Sequence, residues 1–368
     1  MKKTLYLVAG ARPNFMKIAP IVRALQARHD VFDWRIVHTG QHYDREMSDV
    51  FFEELGIPKP DFHLEAGGGS HATQTAKIML AFEEVCQRRR PDCVLVVGDV
   101  NSTLACSIVA KKLHIPVAHV EAGLRSGDLR MPEEINRLVT DSISDWFFVT
   151  EPAGRANLLR EGKREDQVFF VGHVMVDNLL YQRERLAAVD KSGFESEALK
   201  KRLGRYGVGT LHRPSNVDDA ATLGGIAGAL REISARLPLV FPVHPRTRGN
   251  LEKFGLDLGP QVVPTRPLSY MDFLNLWKDA SLILTDSGGL QEETTALGIA
   301  CITLRENTER PVTVDEGTNT VVGVDPVRIV AAAEAVLAGH GKAGRRPQFW
   351  DGRAAERIVA TLAQQLAG

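Results

Sequence analysis

Short apolar runs, five to seven residues long and with almost no polar alternation, recur along the whole chain. They are TLYLVAG (4–10), WRIVHTG (34–40), CVLVVGD (93–99), VAHVEAG (117–123), WFFVTE (146–151) and VFFVG (168–172), then VGTLHR (208–213), LVFPVH (239–244), QVVPT (261–265), LILTD (282–286) and CITLR (301–305). Runs rich in Val, Ile and Leu without a period of two predict strands buried on both faces. Between them lie longer stretches with a helical apolar stripe, among them residues 18–28, 73–88 and 220–236. Strand and helix in strict alternation predict α/β architecture, with parallel sheets covered by helices. Eleven strands exceed one tidy sheet, so the pattern predicts two Rossmann-like domains facing a cleft. The expected first domain spans 1–172 and takes back residues 350–368, whose stretch 354–366 has an apolar stripe. The expected second domain spans 173–349, with a polar stretch at 183–205 near its start.

Composition narrows the class. The chain has 368 residues, 44% hydrophobic and 25% charged, with a formal net charge of −1. That balance is ordinary for a globular protein and offers no bulk attraction to nucleic acid or an anionic membrane. The opening MKKTLYLVAGARPNF has too short an apolar run for a signal sequence and reads as a buried first strand. Cys86, Cys93, Cys106 and Cys301 form no C-x-x-C pair and read as reduced core thiols of a cytoplasmic protein.

In open α/β sheets ligands bind beyond the carboxyl ends of the strands. That rim collects Gly10 to Lys17, Gln41 and His42, Gly98 and Asp99, and Glu121 with Arg125. In the second half it collects His212-Arg213, His244, Asp286 to Gly289, Arg305 and Arg310. Solvated loop charges would explain such residues singly, but less readily as a set. Asp286-Ser287-Gly288-Gly289 is a strand end, a tight turn and a helix start, which suits an anion. An ordinary cap at Ser287 is the plain alternative. MPEEINR (131–137) opens a helix, where Glu133 either pairs with Arg137 four residues on or turns inward as an acid. Three carboxylates, Asp99, Glu121 and Glu133, on successive segments would suit proton transfer. His119 and Glu121 share one strand face, a slight signal, and no spacing predicts a metal site. GHGK (339–342) lacks the preceding strand and following hydroxyl of a phosphate loop.

The motifs GARPNFMKIAP, TGQHYD, VVGDVNSTLA, HVEAGLRSGD, MPEEINR, TLHRPSN, FPVHPRTR, LTDSGGLQEE and TLRENTERP occur in this order over nearly the whole chain. As a set they resemble the non-hydrolysing UDP-N-acetylglucosamine 2-epimerases. The resemblance implies a glycosyltransferase-B type fold, a homodimer, and conversion of UDP-N-acetylglucosamine to UDP-N-acetylmannosamine with no cofactor. It implies elimination of UDP, a bound 2-acetamidoglucal, and re-addition. Carried over, it implies acid/base roles for Asp99, Glu121 and Glu133, and a place for His212 near the leaving group. Arg12, Lys17, Arg137, His244, Phe273, Ser287, Gly288, Gly289, Glu293 and Arg310 would line the nucleotide-sugar. Departures at QHYD, GGGSH (67–71) and HRPSN are expected to weaken activation by a second substrate molecule, while those at TERPVT and RRPQFWDG leave the precise sugar open. Two alternatives stay open: a 2-epimerase of a related sugar such as UDP-2,3-diacetamido-glucuronate, and a glycosyltransferase of the same fold.

Overall fold

The computed structural model describes residues 2–40 and 49–367, with side chains described for 2–40 and 52–367. Among these residues are thirteen strands: β1 (Lys3–Ala9), β2 (Phe32–His38), β3 (Phe62–His63), β4 (Cys93–Val97), β5 (Val117–Val120), β6 (Trp146–Val149), β7 (Val168–Phe170), β8 (Gly207–Thr210), β9 (Leu239–Pro242), β10 (Val262–Thr265), β11 (Ile283–Thr285), β12 (Cys301–Thr303) and β13 (Asn319–Val321). The chain divides into two compact units, Met1–Leu180 with Gln348–Gly368, and Tyr181–Pro347.

The first unit holds a seven-stranded sheet in the order β3-β2-β1-β4-β5-β6-β7. The second holds a six-stranded sheet in the order β10-β9-β8-β11-β12-β13. Every pairing in both is parallel. The strand order therefore turns back on itself beside β1 and β4 in one sheet, and beside β8 and β11 in the other. Each reversal leaves a crevice at the carboxyl ends, where the two departing crossovers go to opposite faces.

Alternation along the central strands divides the first core in two. Leu5, Leu7, Ala9, Leu95 and Val97 face one layer, which includes helices Arg12–Gln26 and Ala354–Gln365. Tyr6, Val8, Val94 and Val96 face the other, which includes helices His71–Arg88 and Asn101–Lys112. Successive side chains of a strand point to opposite faces, and here both faces are dry. In the second unit Leu282, Leu284, Ile302 and Leu304 pack on helices Ala220–Ser234 and Pro326–Leu337. All four cysteines are buried and unpaired.

All eleven apolar runs hold a strand. The two strands beyond them, β3 and β13, lie at sheet edges and read as polar: Phe62 stands between Asp61 and His63, and β13 is Asn-Thr-Val. The first helix begins at Arg12 instead of residue 18, because Pro13 sits in its first turn, where a missing N–H costs nothing. The polar stretch 183–205 carries the end of helix Val174–Ala188 and helix Glu195–Leu203. The latter is capped from a distance, since Asp272 accepts the N–H groups of Glu195 and Ser196 at 3.1 and 3.0 Å. Among the described residues no helix is long and apolar enough to cross a membrane.

Helix Ala354–Gln365 is held at its start by Asp177, whose Oδ2 accepts the N–H of Ala355 at 2.7 Å. Burial pushes the Asp177 carboxyl up to about 6, against the pull of the Ala354 and Ala355 amides. The folded protein thus binds this proton more tightly than the unfolded chain, so the contribution of Asp177 to stability is largest in acid. It is lost as pH rises from about 4 to about 6, by roughly 3 kcal/mol at most. Asp177→Asn, which keeps an acceptor for Ala355, is expected to stabilise the protein at pH 7 relative to pH 4. Urea unfolding of both proteins at the two pH values checks this, and equal differences between them would refute it.

Candidate active site

In the first unit the crevice lies at the ends of β1 and β4. Asn14, buried in the first turn of helix Arg12–Gln26, joins those ends: Oδ1 accepts the N–H groups of Gly10 and Ala11 at 3.2 and 3.0 Å, and Nδ2 donates to the Val97 carbonyl at 3.3 Å. One turn on, Lys17 Nζ lies 2.6 Å from Glu121 Oε2, with the glutamate 2% exposed. The ammonium passes close over the turn after β4. A Cβ on Gly98 would stand 2.8 Å from Lys17 Nζ, and Gly98 has φ +67°. The left-handed backbone favours glycine there.

Glu121 itself has φ +66°. A glutamate in the left-handed region is uncommon and costs local free energy. The departure from extended backbone ends β5 at Val120, where the apolar run suggested a strand to residue 123. It also turns the side chain back toward Lys17.

Helix Pro132–Ile143 closes the same crevice. Arg137, 4% exposed, donates from Nη1 to Asp99 Oδ2 at 2.5 Å. Its Nη2 lies 2.9 Å from Glu134 Oε2, and Nε donates to that same oxygen at 3.0 Å. Glu134 is the buried acid of the pair 133–134. It accepts the N–H groups of Ser126 and Gly127, both at 3.0 Å, and its carboxyl sits below the usual range: burial pushes it up, but those amides and Arg137 outweigh burial. Glu133 is exposed. Arg137 is thus engaged by Glu134 and Asp99, while the pairing with Glu133 suggested by their spacing is not formed.

The second unit repeats the plan with different chemistry. Asp286, fully buried at the end of β11, accepts the N–H groups of His212 and Arg213 at 3.0 and 2.9 Å. His212 Nδ1 lies 2.8 Å from Asp286 Oδ1, and the ring is 44% exposed. Burial pushes Asp286 up, but the His212 ring and the two amides hold it below the usual carboxylate range. An ionised Asp286 accepts a hydrogen bond from the Nδ1–H of His212, which leaves Nε2 as the other ring nitrogen. The His244 ring centroid is 6.1 Å from that of His212; burial, then the neighbouring His212, lowers its pKa. His244 also caps its helix, accepting from the N–H of Arg246 at 3.3 Å.

Helix Gly288–Leu297 begins beside them. Its cap, Ser287, makes no side-chain cap bond, and a Cβ on Gly288 or Gly289 would meet nothing within 4 Å. The ordinary capping role weighed for Ser287 is therefore not taken, and the helix start is open on that side. Glu293, buried one turn in, accepts from Tyr270 Oη at 3.5 Å. Phe273, half-buried, lies three residues beyond Tyr270 on helix Tyr270–Trp277. Arg310 pairs with Glu292, and Arg305 grips Glu309 with two nitrogens at 3.0 and 2.8 Å. Burial raises the Glu309 carboxyl, but the Arg305 fork prevails and holds it at about 2.

The structure therefore brings Lys17, Asp99, Glu121 and Arg137 together in the first unit, with Arg12 opening the helix that carries Lys17. In the second it groups His212 with His244 and Ser287, Gly288, Gly289 with Glu293. Arg125 is spent inside the fold, donating to Glu161 through Nε and Nη2 at 2.8 and 2.7 Å. Gln41 and His42, with most of the TGQHYD motif, lie outside the described residues. The sequence pattern missed Glu134, Asp141, Asn14 and Glu292; only the three-residue spacing from Glu134 to Arg137 carried a signal. Among the described residues no group of three or more His, Cys, Asp or Glu gathers as a metal site would require.

Residues 23–363 match the family described as UDP-N-acetylglucosamine 2-epimerase. The UDP-N-acetylglucosamine 2-epimerase of Methanocaldococcus jannaschii is 42% identical over 97% of this chain and 98% of its own. The UDP-2,3-diacetamido-2,3-dideoxy-D-glucuronate 2-epimerase of Pseudomonas aeruginosa is 41% identical over 97% of this chain and 98% of its own. The crystal structure of the M. jannaschii enzyme in complex with UDP-GlcNAc and UDP superposes with a TM-score of 0.86, covering 98% of this chain and 99% of that one. With parallel α/β units of the glycosyltransferase-B type and relatives this similar over their whole length, the chain belongs to the UDP-N-acetylglucosamine 2-epimerase family.

Proposed function

We propose that the protein is a non-hydrolysing 2-epimerase that interconverts UDP-N-acetylglucosamine and UDP-N-acetylmannosamine. The observation that carries this reading is the pair of carboxylates around the Gly98 turn, Glu121 held by Lys17 and Asp99 held by Arg137. Inverting a carbon that bears a hydrogen requires a base on one face and an acid on the other. Asp99 and Glu121 are assigned these roles, and the exposed Glu133 is kept as a third candidate on the family resemblance alone. As a carboxylate lifts the proton from carbon 2, its electron pair forms the carbon 1–carbon 2 double bond and the carbon 1–oxygen bond breaks toward UDP. Return of UDP to carbon 1 with a proton on the opposite face restores the sugar, so atoms and electrons balance without an oxidant.

A departing diphosphate needs positive charge where its own negative charge grows. The start of helix Gly288–Leu297, with its N–H groups and dipole, suits that task, with His212, His244 and Arg310 as donors. Glu293 and Phe273 are assigned to the ribose and uracil, and Arg12, Lys17 and Arg137 to the sugar and phosphate. A homodimer in the cytoplasm is the assembly and compartment that accompany this reading, on the family resemblance. The likeness to the P. aeruginosa relative makes a diacetamido-glucuronate the second sugar to test, since the carbon 2 chemistry is shared.

Proton NMR of the protein with UDP-N-acetylglucosamine in deuterated water is expected to show UDP-N-acetylmannosamine carrying deuterium at carbon 2. Folded protein that gives neither product nor exchange with either sugar would overturn the proposal. Asp99→Asn and Glu121→Gln are each expected to lower kcat by about 10²–10⁴-fold with little change in KM. Steady-state kinetics checks this, and near-parental kcat in both would remove the acid/base assignment.

A further inference from the structure

His119 lies on β5 two residues before Glu121 and is fully buried, as is Asp141 on helix Pro132–Ile143. The reaction as proposed uses neither. His119 Nε2 is 2.8 Å from the carbonyl oxygen of Gly98, and Nδ1 is 2.7 Å from Asp141 Oδ1. A carbonyl has no proton to give, so Nε2 carries one. The approach of Nδ1 to a carboxylate oxygen requires a second proton between them. Asp141 is in turn saturated: Oδ2 accepts the N–H of Gly123 at 3.0 Å and lies 2.7 Å from Arg125 Nη2. Although burial pushes its carboxyl up, His119 and Arg125 hold it below the usual range. Two hydrogen-bonded side chains thus span three segments of the first unit.

What those segments carry gives the span its meaning. The Gly98 carbonyl belongs to the peptide bond that leads into Asp99. Gly123 stands two residues beyond Glu121, in the turn that includes the strained φ of +66°. Asp141 is one helical turn beyond Arg137, which holds the Asp99 carboxylate from the same helix. A Cβ on Gly123 would come within 2.2 Å of the Gly154 carbonyl oxygen, so this turn is also closely packed and cannot move to find other partners. A strained backbone persists only where its surroundings over-determine it.

We infer that His119 and Asp141 form a buried clamp that positions Asp99 and Glu121 for proton transfer, acting through the Gly98 and Gly123 backbone without touching substrate. The inference rests on the epimerase reading. It makes His119 and Asp141 positioning residues whose loss displaces the acid and base from carbon 2 while leaving the nucleotide site of the second unit intact. Displacement by about 1 Å at a reacting centre lowers a rate on the order of 100-fold.

The test compares parent and His119→Phe protein on UDP-N-acetylglucosamine with hydrogen or deuterium at carbon 2. The expected result for the variant is kcat lower by about 100-fold, KM within about threefold, and a larger isotope effect on kcat, because proton removal becomes slower than every other step. Asp141→Asn can donate to Nδ1 while still accepting from Gly123, so it is expected to lose far less than Asp141→Leu. A His119→Phe protein with near-parental kcat, or with a rate loss and an unchanged isotope effect, overturns the clamp. Asp141→Asn as impaired as Asp141→Leu also overturns it, in favour of an effect of charge alone. Where His119→Phe fails to fold, His119→Gln, whose amide keeps one donor, is judged by the same kcat and isotope measurements. A parent that shows no exchange at carbon 2 refutes the epimerase reading; an exchanging parent beside an equally active variant refutes the clamp alone.

Discussion

A parallel sheet covered on both faces leaves polar side chains one kind of place to go. Along β4 all five residues are buried, and β1 is buried from Leu5 to its end. A charge inside either layer would lose its hydration with nothing to replace it. Polar residues therefore gather where the strands stop, and there too burial demands partners. Lys17 with Glu121, Arg137 with Asp99 and Glu134, His119 with Asp141, and His212 with Asp286 all answer that demand. Where both partners are buried, as in His119 with Asp141 and Arg137 with Glu134, removing one partner costs about 3–5 kcal/mol.

The two units share one strand order around β1 and β8 but use their crevices differently. In the first, opposite charges are already matched, and its acids are aimed by lysine and arginine. In the second, Asp286 is spent on orienting His212, and the helix start at Gly288 takes no cap from the Ser287 side chain. An acid that must move a proton benefits from a fixed direction. A site for an anion benefits from unspent donors. The same topology thus carries two different kinds of rim, one of matched charge pairs and one of a carboxylate-oriented histidine beside a helix start.

Strands of the interior were legible because their residues are apolar without interruption. β3 and β13 were not, since an edge strand of two or three residues gains pairing from its neighbour and needs little apolar sequence of its own. The strand ends were read too long at Glu121 and Asp99, because apolar propensity carries no mark of a left-handed turn. Which residues stand at the rim was visible from the strand–turn pattern. Their partners were not. The choice between Glu133 and Glu134 depends on which side of a helix meets Asp99, and sequence spacing allowed either. His119 shows in the sequence only as sharing a face with Glu121; its two hydrogen bonds depend on the turn after β4 and on a helix about twenty residues on.

One consequence concerns the order in which the molecule can be made. Helix Ala354–Gln365 contributes Ala354, Ile358 and Leu362 to the same layer as Leu5, Leu7 and Phe15. The amino-terminal sheet thus waits for residues 354–365 before its core is complete, whereas Tyr181–Pro347 is wholly synthesised earlier. On a ribosome the second unit can close before the core of the first is complete. Truncation by a single helix would strike the unit that was begun first, leaving Tyr181–Pro347 as the part best able to survive it.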